Sequence, residues 1–180
     1  MIKFRKLTAD EIECRIQQLR PGKKDGKVYA LCLLYKDARC DMQILDETVG
    51  PDNWQRRHDE HKGNLFCSVG VNVDYGKGGE RWVWKEDAGA ESNQDAEKGH
   101  ASDSFKRACF NWGIGRELYT APDIFFELKE GEYFSDGTDR NGKPKYKSYA
   151  KFRVSAIEYE GDTIRRVAIE DSKGNVRFCK

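Results

Sequence analysis

The chain reads as an α+β domain: an antiparallel β-meander packed against a long helix (a β-β-β-α core), with an N-terminal helix before it and a C-terminal β-hairpin after it. Three observations predict this. Leu65, Cys67, Val69, Val71, Val73 and Tyr75 alternate with polar or small residues, the period of a strand with one buried face. Ala101, Phe105, Cys109 and Trp112 recur at i, i+4, i+8 and i+11, the stripe of an amphipathic helix. A length of 180 residues suits one well-packed domain, so 1–180 is read as a single unit.

Each element has its own local signal. Thr8-Ala-Asp-Glu11 is a capping box, with Thr8 as N-cap and Glu11 reaching back. Ile12, Ile16 and Leu19 then supply the apolar face of a first helix, stopped by Pro21-Gly22. Val28 to Tyr35 is strand-like. Asp37 caps a second helix whose buried stripe is Ala38, Met42, Leu45 and Val49, ended by Gly50-Pro51. A strand from Trp54 to His61 turns at Lys62-Gly-Asn64 into the alternating strand. Gly76-Lys-Gly-Gly79 turns the chain again, into a third strand from Arg81 to Gly89 with Trp82 and Trp84 on one face. The polar stretch 88–99 is a loop or a frayed helix start. The core helix follows, and Gly113 and Gly115 end it because glycine tolerates a left-handed C-cap. Beyond it lie Asp123 to Leu128, a basic-aromatic stretch from Arg140 to Phe152, and a hairpin. That hairpin pairs Phe152–Tyr159 with Thr163–Glu170 across Glu160-Gly-Asp162.

Composition narrows the function. Charged residues make up 35% of the chain but the net charge is only +1, so there is no global polyanion-binding signature. Any such site must come from local clustering. The 21 aromatic residues (4 Trp, 8 Tyr, 9 Phe) supply a core or base-stacking rings. None of the six cysteines forms a C-x-x-C pair, so neither a zinc ribbon nor a redox motif is indicated. They read as small buried hydrophobes. With no signal peptide and no apolar run long enough to span a bilayer, the expectation is a soluble, cytoplasmic protein without a membrane partner.

The local cluster sits on the core helix. If the apolar stripe faces a sheet, Lys106 and Arg107 are held away from it as two adjacent cations on a rigid surface. That arrangement suits a phosphodiester backbone. Asp103 precedes Arg107 by four residues, so the same residues also read as a solvated helix salt bridge.

Other constellations compete. Gly137-Thr-Asp-Arg-Asn-Gly-Lys143 has the spacing of a phosphate-binding loop. Pro144 stands where a metal-binding Ser or Thr is needed, and no helix start follows, so the match reads as a turn. His58 and His61 lie three apart in a strand and would point to opposite faces. His100 near the helix start decides nothing alone. Glu86-Asp87 reads as a turn or a subunit contact, and no catalytic triad or paired-carboxylate site is legible. The expectation is a non-enzyme needing no cofactor and no metal. Arg140, Lys143, Lys145, Lys147 and Lys151 interleave with Tyr146, Tyr149 and Phe152. This is either a second nucleic-acid surface or a solvated hairpin whose aromatics face the core.

Three segments carry a family resemblance in order and spacing: Leu45-Asp-Glu-Thr-Val-Gly-Pro-Asp-Asn-Trp54, Glu86-Asp-Ala-Gly-Ala90, and Ser104-Phe-Lys-Arg-Ala108 followed by Trp112-Gly-Ile-Gly115. Together they resemble the Rad52/Rad22 family of single-strand annealing proteins, its phage and prophage members above all, over roughly Tyr29 to Tyr119. The resemblance implies ATP-independent binding of single-stranded DNA and pairing of complementary strands in recombination and double-strand-break repair, by a recombinase in a bacterial cell or phage host. It also implies a homo-oligomer (a ring or helical filament), with a single-strand-binding protein or a phage exonuclease as candidate partners. Lys106 and Arg107 match the family's groove cations. Arg39 lies beside the family's basic residue early in the second helix, with Cys40 in the formal position. Pro51 replaces an aromatic found in some members. Lys98 and Arg116 complete the candidate set for single-stranded DNA. The alternative function is a non-annealing module that binds and protects single-stranded DNA or RNA. A structural subunit with no nucleic-acid role is a third class.

Overall fold

The computed structural model of the chain describes residues 2–22, 26–89 and 96–180, the side chains of 96–98 excepted. The elements run β1 (Ile12–Pro21), β2 (Val28–Lys36), α1 (Ala38–Val49), β3 (Trp54–His61), β4 (Asn64–Asn72), β5 (Trp82–Ala88), α2 (Ala96–Trp112), β6 (Ile124–Glu127), β7 (Phe134–Thr138), β8 (Pro144–Lys147), β9 (Phe152–Glu160), β10 (Thr163–Asp171) and β11 (Val176–Cys179). The fold is α+β with antiparallel pairing. The chain divides into two compact units: Met1–Leu7 with Lys36–Arg116, and Thr8–Tyr35 with Glu117–Lys180.

The first unit holds the meander β3-β4-β5 and both α-helices. Trp54 pairs with Val71 and His61 with Asn64, while Phe66 pairs with Ala88 and Asn72 with Trp82. The alternation read in the sequence is realised: Cys67, Val69 and Val71 are fully buried. The strand stops at Asn72 rather than reaching Tyr75, because Asn72 Oδ1 accepts the backbone N–H groups of Asp74 and Arg81 and starts the turn. On the opposite sheet face Trp82 and Trp84 stack, with centroids 6.3 Å apart. Trp84 lies on Gly70, where an added Cβ would come within 2.6 Å of the indole. Asp37 caps α1 as expected, accepting from Arg39 N at 2.7 Å. The buried face of α1 is Cys40, Asp41, Ile44, Leu45 and Val49. Leu45 and Val49 are therefore on the predicted stripe, and Ala38 and Met42 are at its edge.

The second unit is a six-stranded sheet in the order β11-β10-β9-β1-β2-β6, plus the β7-β8 hairpin. Two expectations are corrected here. The N-terminal helix is a strand: the capping box forms, with Thr8 N donating to Glu11 Oε2 at 2.8 Å, but it caps only a three-residue 3-10 turn at Ala9–Glu11. Ile12, Cys14 and Ile16 also alternate, and β1 sits inside the sheet between β9 and β2, where Ile12 and Cys14 are buried. Ladder bonding on both sides outweighs the weak local helix signal. The closing hairpin pairs Thr163 with Glu160 and Asp171 with Phe152, and β11 extends it into a three-stranded meander.

Candidate nucleic-acid interface

Helix α2 packs on β4 and β5. Phe105, Ala108 and Cys109 are fully buried on it, and Ser104 is buried beside them. Trp112 Nε1 donates to Val69 O at 2.9 Å, and Lys85 Nζ lies 4.7 Å above its ring. Trp54 stacks with Phe105 at 6.1 Å. Trp112 therefore has the structural role its position on the stripe predicts. Its N–H is satisfied by the sheet and its ring is covered by Lys85. The helix spans 17 residues and ends at Trp112. It is shorter than the long helix expected, and it stops at the glycines read as its end, Gly113 and Gly115, which adopt φ of 96° and 71°. A 3-10 turn, Arg116–Thr120, follows.

With the stripe against the sheet, Lys106 and Arg107 emerge on the flanks of α2, both half-buried. Arg107 Nε donates to Asp103 Oδ2 at 2.9 Å. Lys106 makes no hydrogen bond or ion pair among the described residues. It lies near α1, close enough to Asp37 and Asp41 to favour their charged forms. Arg39, on the first turn of α1, donates to both oxygens of Asp37 at 3.1 and 2.9 Å. The hydrogen bonds from Arg39, first through its side chain and then its backbone, hold the Asp37 carboxyl down to about 2. Asp37 thus links two of the predicted cations from different helices. Arg116 is engaged elsewhere: its guanidinium donates to Phe110 O at 2.9 and 2.7 Å and to Asn111 O at 3.0 Å, capping the last turn of α2. The Lys98 side chain lies outside the described residues.

Sequence reasoning missed the charged pair beneath this surface. Lys36 and Asp41 form an ion pair with side chains 1% and 0% exposed. Lys36 Nζ also sits 4.4 Å from the Phe110 ring centroid. The stem of Lys36 passes Gly115, where a Cβ would lie 2.5 Å from Lys36 Cε. Burial pushes the Asp41 carboxyl up to about 6, against the pull of Lys36 and Lys106. Its Oδ2 has no hydrogen-bond partner among the described residues. The available signal was a carboxylate on an apolar helix face, three residues before Ile44. Also missed were Arg56 and Arg57 on β3, which lie over the Phe105 and Trp84 rings at 4.9 and 3.9 Å.

In the second unit the segment 140–152 divides between the two readings left open. Arg140, Lys143, Lys145, Lys147 and Lys151 are all exposed, and so is Tyr149. Phe152 is in the core, edge-on to Phe126 at 4.8 Å. Lys147 pairs with Asp136 at 3.0 Å. The loop at 137–143 is a hairpin turn, with Asp139 Oδ1 accepting from the N–H groups of Asn141 and Lys143. Strand β8 follows it, where a phosphate-binding loop would lead into a helix. His58 Nε2 contacts Ala101 O at 3.2 Å, while His61 packs edge-on to Phe66, so the two imidazoles sit on opposite sheet faces. Glu86 and Asp87 are tied to the scaffold, since Asn111 Nδ2 donates to Glu86 O at 2.9 Å and Ser68 Oγ donates to Glu86 Oε2 at 3.3 Å.

The comparison with family models decides the affiliation. Residues 5–132 match the Rad52/22 family double-strand break repair protein. The chain belongs to the Rad52/22 family. Membership carries a role in DNA binding and double-strand break repair. Every groove candidate of the first unit (Arg39, Lys98, Lys106, Arg107 and Arg116) lies within the matched residues, and the 140–152 segment lies beyond them. No curated protein and no solved structure matches the chain. Among the described residues, no helix is long and apolar enough to cross a membrane.

Proposed function

We propose that this Rad52/22-family chain binds single-stranded DNA by its phosphates and anneals complementary strands without nucleotide hydrolysis, in homologous recombination. The supporting observation is Lys106, a cation uncommitted among the described residues and held on a rigid helix beside the Arg39–Asp37 pair. Phosphate contacts position a strand without reading it, and they leave base edges free to test pairing. Arg107 joins when phosphate replaces Asp103, an exchange that weak, half-exposed ion pairs permit.

Each copy offers few cations, so affinity is expected to come from repetition in a homo-oligomer, a ring or helical filament. A net charge of +1 lets copies approach without strong self-repulsion. The chain then acts by binding rather than by bond chemistry. The pattern of residues around Trp54 and Trp112 favours the phage or prophage branch, in a bacterial cytoplasm, working alongside a single-strand-binding protein or an exonuclease.

The test is annealing of complementary oligonucleotides without ATP, with the mass of the assembly measured in parallel. Accelerated duplex formation by an oligomer supports the proposal. Tight binding of single strands without acceleration would make the chain a protecting module instead. No binding would leave only a structural role.

A further inference from the structure

The second unit carries a cleft of about 490 Å³ lined by Lys129, Phe134, Tyr149, Lys151, Asp171 and Lys173, among others. Tyr149 is 81% exposed and Phe134 43%. Their rings face each other at 5.3 Å with a 33° tilt. An aromatic pair this open to water, ringed by three lysines, is the arrangement that grips a single strand: a ring to stack on a base and cations for the flanking phosphates.

The cleft is built rather than incidental. Arg177, only 5% exposed, donates to both oxygens of Glu132 at 2.5 and 2.9 Å and lies 3.5 Å from Asp171 Oδ2. Glu132 in turn accepts Lys129 N at 2.7 Å, and its carbonyl accepts Ser148 Oγ at 2.6 Å. Ser148 Oγ accepts Ala150 N at 3.1 Å, so both neighbours of Tyr149 are pinned. Asp171 Oδ1 accepts the N–H groups of Lys173 and Asn175 at 3.0 Å each. One buried arginine therefore orients three walls, and two of the three acids in the lining are already engaged. Lys129 Nζ reaches Asp171 at 3.6 Å but keeps 59% of its side chain exposed.

We propose that this cleft is a nucleotide subsite for single-stranded DNA, in which Tyr149 stacks on a base and Lys129, Lys151 and Lys173 hold the adjoining phosphates. Phe134, Tyr149, Lys151 and Lys173 lie beyond the family-matched residues, while Lys129 and Glu132 lie at the end of them. Its role would be to anchor one base of a bound strand. The inference rests on the reading that the chain binds single-stranded DNA.

The test is fluorescence anisotropy on the full chain with labelled oligo-dT and with an abasic strand of equal length, over a salt series. Tyr149→Ala is expected to weaken oligo-dT binding by at least about fivefold, the lower bound for a lost base–aromatic stack. Tyr149→Phe should bind like wild type. Wild type and Tyr149→Ala should bind the abasic strand equally, because no base is left to stack. Combined Lys129→Ala, Lys151→Ala and Lys173→Ala should flatten the salt dependence by about 2 in slope, at about 0.7 per phosphate contact. Equal oligo-dT affinity of wild type and Tyr149→Ala, or an equal loss on the abasic strand, overturns the subsite while the DNA-binding reading stands. A wild-type chain that binds neither strand overturns both.

Discussion

Arg107 Nε donates to Asp103 Oδ2 at 2.9 Å across one turn of α2, with the two side chains 40% and 33% exposed. The cation that the sequence motif puts forward for DNA is thus already paired within its own helix. Such a pair is worth only about 0.3–0.5 kcal/mol, so a phosphate can displace it. Asp103→Asn removes the competitor and a negative charge from the proposed path of the strand. It is expected to tighten binding of single-stranded DNA by about twofold, in keeping with that small pair energy. Weaker binding by the variant in a titration at fixed salt would place the strand elsewhere.

Lys106 acts on Asp37 and Asp41 through charge alone among the described residues. Lys106→Ala is expected to weaken single-strand binding and to lower the salt slope by about 0.7, one phosphate contact. The melting temperature should stay at the wild-type value, since the side chain makes no hydrogen bond or ion pair among the described residues. Unchanged affinity and slope would falsify its assignment to the DNA path.

Gly115 and Gly113 make an internal control for the buried Lys36–Asp41 pair. Both have positive φ, 71° and 96°, and both lose about 1–2 kcal/mol on gaining a Cβ in that region. Only at Gly115 does the Cβ meet Lys36, 2.5 Å from Cε, whereas at Gly113 nothing lies within 4 Å. Displacing Lys36 leaves Asp41 buried and unpaired, which is strongly destabilising. Gly115→Ala should therefore melt well below Gly113→Ala in a thermal scan. Equal melting temperatures would show that Lys36 is not held there.

The Arg177 cluster predicts acid sensitivity. Its guanidinium, bonded to Glu132, holds that carboxyl below the usual glutamate range, and the Lys129 N–H adds to this. The unfolded chain therefore takes up the proton first as pH falls. Stability from Glu132 is full above the ordinary glutamate range and is lost as pH falls through the lower, folded value. Glu132→Gln should be less stable than wild type at neutral pH, and the gap should close on acidification. A gap that stays constant from neutral to strongly acidic pH would show that the ion pair contributes nothing.

Annealing is expected to proceed without ATP and to survive a chelator. Strand β8 follows the turn at 137–143 where a nucleotide loop would need a helix, and His58 and His61 face apart. Loss of annealing on chelation, restored by a divalent ion, would overturn this expectation.

What was legible in the chain was local. The β4 alternation, the α2 stripe of Phe105 and Cys109, the Asp37 cap and the glycine stops at 113 and 115 each depend on neighbours a few residues away. Those signals place Lys106 and Arg107 off the buried face before any tertiary contact is known. The ordered motifs from Leu45 to Gly115 carry the family in the same way.

What only the tertiary structure decided depends on partners far along the chain. Ile12 to Leu19 satisfies a helical and an extended period alike, and it becomes a strand because Cys14 pairs with Phe152 in a sheet that completes the ladder on both sides. The two units interleave along the chain, which no composition shift announces. Asp41 looks like a surface residue until α1 turns it inward on to Lys36. Arg39 and Lys106 share Asp37 only because α1 and α2 pack together, and Tyr149 meets Phe134 only because the β7-β8 hairpin folds back. Periodicity records which face of an element is buried. Which charge meets which is set by non-local packing, where the energy of pairing or desolvating a group is decided.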